Sequence, residues 1–165
     1  MIKRIPFLFL LLLFSCFLSA QEADCSKSVN AAPGVDRSEL IAYARQYIGT
    51  PYRRAGGDPK RGFDCSGFVN FIFRHFNVSL PRSSREFKTI GTVVKPEDFK
   101  VGDVIVFYGF RDKGHIGHVA IVCEANGMKS RFIHASSGKA HSVTISDLGS
   151  EGYLRRFYKC IDVIR

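Results

Sequence analysis

Gly62-Phe63-Asp64-Cys65-Ser66-Gly67-Phe68-Val69-Asn70-Phe71-Ile72-Phe73 is the stretch on which the fold turns. Asp64 is a good helix N-cap, Cys65 takes the first helical position, and the apolar run behind it is long enough for a buried helix. Its Phe68, Val69, Phe71, Ile72, Phe73 and Phe76 cover nearly every direction, which predicts a helix at the centre of the core. The thiol then sits at a helix start. There the unpaired N–H groups and the positive end of the helix dipole favour a thiolate, and the same groups offer a seat for an oxyanion. A lone cysteine is more often a small core residue than a nucleophile, so the rest of the chain has to decide.

Upstream of this helix, Asp36 and Glu39 form a capping-box-like start, and Leu40, Ile41, Ala44, Tyr47 and Ile48 recur at helical spacing until Gly49 and Pro51. That is an amphipathic first helix, joined to the second by a loop rich in glycine. Downstream, Arg82 to Phe87 reads as a short helix or loop. The β-branched and aromatic runs Val104 to Tyr108, His118 to Cys123, Arg131 to His134, Ser142 to Ile145 and Tyr153 to Val163 read as five strands. Helices first and an antiparallel sheet of five to six strands afterwards make an α+β domain.

At 165 residues, 45% of them hydrophobic, the chain holds one domain over residues 36–165 with a full core. Lys3 and Arg4 before the apolar run Phe7 to Leu13 form an export signal, too short to span a bilayer comfortably. Two processing sites compete. Cleavage after Ala20 gives a 1–20 signal peptide, whereas Leu13-Phe14-Ser15-Cys16 resembles a lipoprotein box that would end the leader at residue 15 and lipidate Cys16. Residues 21–35 read as a flexible lead-in. The protein is therefore expected in the periplasm or cell envelope, soluble or lipid-anchored, and as a monomer. The net charge of +9 is scattered, with no nucleic-acid motif, and suits an anionic polymer or membrane surface better than a nucleic acid. Of the five cysteines, Cys25 and Cys160 lie near the ends of the mature chain and could be bridged in an oxidising compartment, a pairing the sequence leaves open.

Two histidines give the thiol its context. His118 and His134 lie symmetrically about Asn126 of the turn signal Asn126-Gly127, so a three-residue hairpin loop would set them directly opposite one another on one face. His118 also shares a face with Ala120, small enough for the Cys65 helix to pack against. A triad follows in which Cys65 attacks, His118 moves the proton and His134 holds the tautomer. The same three residues could instead ligate zinc, but they lack a short ligand spacing, so no metal and no cofactor are expected. His75, His115 and His141 read as ordinary polar residues.

These segments resemble the signature blocks of the NlpC-type cell-wall cysteine peptidases: Gly62 to Val69, Gly117 to Val122 and Phe132 to Ser137, with Gly49 to Arg53, Leu80 to Arg85 and Val101 to Val104 as further blocks in the family's order. The resemblance implies a papain-like fold that cleaves peptidoglycan stem peptides, commonly between D-glutamate and a diamino acid, by acyl-enzyme chemistry. It places Cys65, His118 and His134 in the catalytic positions and Tyr52 at the oxyanion site. Asp64, Ser66, Arg82, Ser83 and Ser84 fall in substrate-lining segments, with Arg82 suited to a stem-peptide carboxylate. The alternatives are an amidase or acyltransferase on the same fold, or a peptidoglycan-binding envelope protein without turnover.

Overall fold

The computed structural model describes residues 34–164. The leader, Cys16, the cleavage site after Ala20, nearly all of the lead-in and Cys25 lie outside the described residues. Among those described, no helix is long and apolar enough to cross a membrane.

Helix α1 (Arg37–Arg45) begins where the sequence places it, with the Asp36 carboxylate accepting from the Ser38 and Glu39 N–H groups at 2.7 and 3.1 Å. It stops earlier than the apolar spacing suggests: the chain turns at residues 46–49, Tyr47 is half-buried and Ile48 is exposed. A two-residue hairpin, β1 (Gly57–Asp58) and β2 (Gly62–Phe63), fills the glycine loop and leads into α2 (Cys65–His75). Asp64 caps α2, accepting from the Gly67 N–H at 2.7 Å. Phe68, Val69, Ile72 and Phe73 are fully buried, each contributing about 1.5–3 kcal/mol of transfer free energy. The expected central helix is therefore present. A short 3-10 helix, Ser84–Lys88, follows.

The rest is one antiparallel six-stranded sheet. Its strands are β3 (Thr92–Val94), β4 (Val104–Tyr108), β5 (Ile116–Glu124), β6 (Arg131–Ala135), β7 (Val143–Asp147) and β8 (Phe157–Asp162), in the spatial order β3-β8-β4-β5-β6-β7. Strand β3 escapes a sequence reading because it is three residues long, lies at the edge and buries little. Tyr153 does not open the last strand as its aromatic character suggests; it belongs to the short helix α3 (Glu151–Leu154), and β8 starts at Phe157.

The two faces of the sheet carry different cores. Val104, Val106, Val119, Ile121, Ile133 and Ala135 pack with α1 and α2, whereas Ile105, Phe107, Ala120, Val122 and Phe132 pack on the other side with Phe99 and Leu148. Ala120 therefore does not receive the Cys65 helix; alternation along β5 gives that place to Val119 and Ile121. Strand β5 also carries two bulges. At one end Phe107 pairs His118 while Tyr108 pairs Ile116, leaving Gly117 as the extra residue. At the other end Val122 pairs Phe132 while Glu124 pairs Arg131, leaving Cys123 unpaired. Cys160 has no exposed surface, and its supposed partner Cys25 is outside the described residues.

Gly67 shows how tightly the start of α2 is seated. A Cβ there would overlap the Gly56 carbonyl oxygen and crowd Asp64 Oδ1. Gly→Ala inside a helix ordinarily stabilises by up to about 1 kcal/mol. Gly67→Ala is expected to do the reverse, costing about 1–3 kcal/mol and lowering the melting temperature by several degrees in calorimetry.

Candidate active site

Cys65 is 8% exposed, with its sulfur at the head of α2. The backbone N–H groups of Val119, Ser66 and Cys65 itself favour the charged form of the sulfur, so β5 acts on it through the residue next to His118. Burial raises the pKa of the thiol and the Asp64 carboxylate adds to this, while the three N–H groups pull the other way without reversing it. At rest the group is a thiol. Burial and the Asp64 carboxylate therefore oppose the thiolate that the helix start favours.

Arg82 has a different partner from the one its position in a lining segment suggests. Its two terminal nitrogens meet Asp64 Oδ1 and Oδ2 at 2.9 Å each, and they also donate to Ser66 Oγ at 3.2 Å and to the Gly56 carbonyl at 2.9 Å. The carboxylate it binds is the protein's own, and the pair pins the helix start to the preceding loop. Ser83 is likewise engaged, capping the 3-10 helix in a reciprocal box with Glu86, and Ser84 is that helix's first residue. Tyr52 is held by backbone bridges to both sides, its N–H donating to the His141 carbonyl at 2.9 Å. Burial, Cys65 and Asp64 raise the pKa of its hydroxyl.

His118 and His134 meet, though not by the expected route. The Cys123 bulge and a six-residue connection, 125–130, move the pairing to Ile121 with Ile133, so continuing the ladder sets His134 beside Ala120 and makes His118 its diagonal neighbour. The offset is two residues, which preserves the face, and imidazoles are long enough to close the diagonal. His118 Nε2 lies 2.9 Å from His134 Nδ1. Beyond it, His134 Nε2 lies 3.0 Å from Ser146 Oγ and 3.4 Å from the Tyr153 hydroxyl. One consistent chain has His118 Nε2–H donating to His134 Nδ1 and His134 Nε2–H donating to Ser146, which leaves His118 Nδ1 with a free lone pair.

Burial, His134 and the Arg156 guanidinium hold His118 well below the ordinary imidazole range; burial and Arg156 push His134 down to about 3. Both rings are neutral at pH 7. Ser146, Tyr153 and Arg156 went unread in the sequence. Ser146 follows from alternation, since His134 pairs Thr144 and Ser146 pairs Phe132 on the same face; Tyr153 and Arg156 arrive by tertiary folding alone.

Two hollows meet here. A cleft of ≈ 810 Å³ is lined by Tyr52, Asp64, Cys65, Ser66 and Arg82 to Glu86, and it reaches Gly117. A second hollow, ≈ 460 Å³, also touches Gly117 and is lined by His118, His134, Ser136, Ser137, Tyr153 and Arg156. The residues predicted for the site thus fall into two neighbouring groups, nucleophile and oxyanion candidates in one and the imidazole pair in the other. Of the remaining histidines, His75 stacks on Tyr43 and His115 pairs with Asp112. Among the described residues, no group of three His, Cys, Asp or Glu side chains is arranged to hold a metal ion.

Residues 49–162 match the model of the NlpC/P60 family. A gamma-DL-glutamyl hydrolase of Bacillus subtilis is 37% identical over 129 residues, covering 78% of this chain and 29% of its own. A gamma-D-glutamyl-L-lysine dipeptidyl-peptidase of Bacillus cereus is 32% identical over 131 residues, 79% of this chain and 38% of its own. The crystal structure of an NlpC/P60 family protein from Bacillus cereus superposes with a TM-score of 0.72 at 29% identity, over 81% of this chain and 42% of that one. This chain spans less than half the length of each of these relatives. A family match over most of the chain, reproduced by the α+β papain-like architecture, means that the chain belongs to the NlpC/P60 family.

Proposed function

We propose that this protein is an exported cysteine endopeptidase that hydrolyses peptidoglycan stem peptides, cutting the bond between D-glutamate and a diamino acid. The observation that carries this reading is the bond between His118 and His134, continued to Ser146, beside a helix-start cysteine. It leaves a lone pair on one ring nitrogen of His118, the neighbour of Val119, whose N–H favours the charged form of the sulfur. The two Bacillus relatives, a gamma-DL-glutamyl hydrolase and a gamma-D-glutamyl-L-lysine dipeptidyl-peptidase, support the substrate class.

With both groups neutral at rest, attack and proton transfer go together. The Cys65 sulfur adds to the scissile carbonyl carbon while its proton passes to His118 Nδ1. The oxyanion accepts from the Cys65 backbone N–H and the Tyr52 hydroxyl, and His134 Nδ1 stabilises the new imidazolium through the Nε2–H bond. His118 returns the proton to the departing amine nitrogen as the C–N bond breaks. Water, deprotonated by His118, then opens the thioester and restores the thiol. Asp64, Ser66 and Arg82 keep the helix start in place during these steps. Residues 36–165 form the catalytic domain, soluble in the envelope or tethered through a lipid on Cys16.

Digestion of purified sacculi and defined muropeptides, followed by mass spectrometry, tests the reading. Wild type is expected to release fragments cut after D-glutamate, with Cys65→Ala reduced by about a thousandfold or more; fragment release that survives Cys65→Ala overturns it. Ser146→Ala is expected to lower kcat about tenfold with KM unchanged, since it removes a tautomer-fixing bond and no substrate contact. The base form of His118 is required, and its pKa is depressed, so the acid limb of kcat/KM should lie below the ordinary imidazole value of 6.5; the raised thiol places the alkaline limb above the ordinary cysteine range. Stability follows the same proton. Below about pH 6.5 the unfolded chain protonates His134 whereas the native chain resists until about 3, so stability should be complete above 6.5 and fall by up to ~1.4 kcal/mol per pH unit below it. Denaturation of wild type and His134→Gln across that range measures the difference: the variant should lose the His134 share of the slope and keep that of His118, which is depressed as well.

A further inference from the structure

We infer that the hollow beside the histidine pair is the leaving-group side of the site, and that Arg156 receives a free carboxylate of the departing fragment. This rests on the proposed peptidase reading. The direction follows from proton transfer: the departing amine must be reached by His118, so the departing half of the substrate lies where His118 opens, in the ≈ 460 Å³ hollow. The acyl half then lies across Cys65, Ser66 and Tyr52 in the larger cleft. Gly117, shared by both and without a side chain, lets the scissile bond cross between them.

The chemistry of the hollow selects an anion. Arg156 is the cation on its wall, and no Asp or Glu lines it. The guanidinium lies over Tyr153 at 5.2 Å, Phe110 at 5.7 Å and Phe107 at 5.9 Å, which fixes its plane. Its Nε donates to the Gly152 carbonyl at 3.1 Å, and one terminal nitrogen makes a long contact of 3.5 Å with the Tyr108 carbonyl. Among the described residues no carboxylate pairs with it. A half-buried cation held against aromatic rings without a counter-charge is costly, and its field is one reason both histidines titrate low. A bound carboxylate would remove that cost. Arg82 cannot serve in its place, since Asp64 already occupies its fork. Phe110, 84% exposed at the rim, adds an apolar wall for the departing residue's side chain. At the low end of the volumes of small-ligand sites, the hollow suits a departing fragment of one or two residues that ends in a free carboxylate. Short, uncross-linked stems are the substrates this selects.

Two synthetic peptides decide the matter: L-Ala-γ-D-Glu-L-Lys with a free C-terminal carboxylate, and the same peptide as its carboxamide. Wild type should prefer the acid by about tenfold to a hundredfold in kcat/KM, the range expected for a charge-assisted pair. Arg156→Met, which keeps the apolar stem, should bring the ratio to about one by loss on the acid alone, and Arg156→Lys should retain part of it. No preference in wild type, or an equal loss on both peptides in Arg156→Met, overturns the inference. Calorimetric titration of Cys65→Ala protein with the same peptides separates the two readings. Tighter binding of the acid, lost in the Cys65→Ala/Arg156→Met double variant, upholds the Arg156 site even if wild type hydrolyses neither peptide, a result that would sink the peptidase reading alone. Equal affinity for acid and amide sinks the Arg156 site alone.

Discussion

A sheet is one residue thick, and successive side chains must leave it on opposite sides; every feature of the site answers to that constraint. Helix α2 and its cysteine lie with Val119 and Ile121 on one side, while His118 and His134 leave on the other with Phe107 and Phe132. A nucleophile and a base on opposite faces can cooperate only where the strand ends. Strand β5 begins two residues before His118, and the bulge at Gly117 bends it there. Bulges beside active sites re-aim side chains in this way. A Cβ at Gly117 would collide with the Gly109 backbone, so the close approach of β4 and β5 at the bend depends on glycine.

Electrostatically Arg82 and Arg156 differ in kind. Arg82 is neutralised by Asp64, and its role is mechanical: it ties the cap of α2 to the Gly56 carbonyl and to Ser66. Arg156 is uncompensated among the described residues and acts through space, lowering the proton affinity of both imidazoles. Together with burial of the sulfur, this gives a site that rests in its neutral form. Charge appears only when the reaction creates it, inside a setting already oriented to receive it.

Much of this was legible from residues. The cap at Asp64, the apolar density of α2 and the β-branched runs of β4 and β5 are local signals, and local physics produced them. That His118 and His134 share a face was also readable, because two strands of known parity leave only two possibilities. Their register was not, since the Cys123 bulge depends on how Ser130 is buried beneath the connection, where its hydroxyl accepts from the Asn126 N–H at 2.8 Å. The partners of Arg82 could not be told from its charge, as a carboxylate of the chain and one of a ligand look alike to a guanidinium. Tyr153 in α3 and Arg156 just beyond it sit in a segment whose aromatic content imitates a strand, and Tyr153 packs against Phe107 and Phe132.

The interior placement of Cys123 and Cys160 bears on how this chain tolerates oxidation. Burial raises both thiols above their ordinary range, Cys160 to beyond it by the larger margin, and neither opens onto either hollow. Peroxide and disulfide reagents act on accessible thiolate, so these two sulfurs are kinetically shielded by the same packing that stabilises the sheet. Cys65 rests as a buried thiol too, but it alone of the three described cysteines lines a solvent-connected cleft, so among the described residues oxidation would fall there first, reversible by mild reductant while it remains at the sulfenic stage.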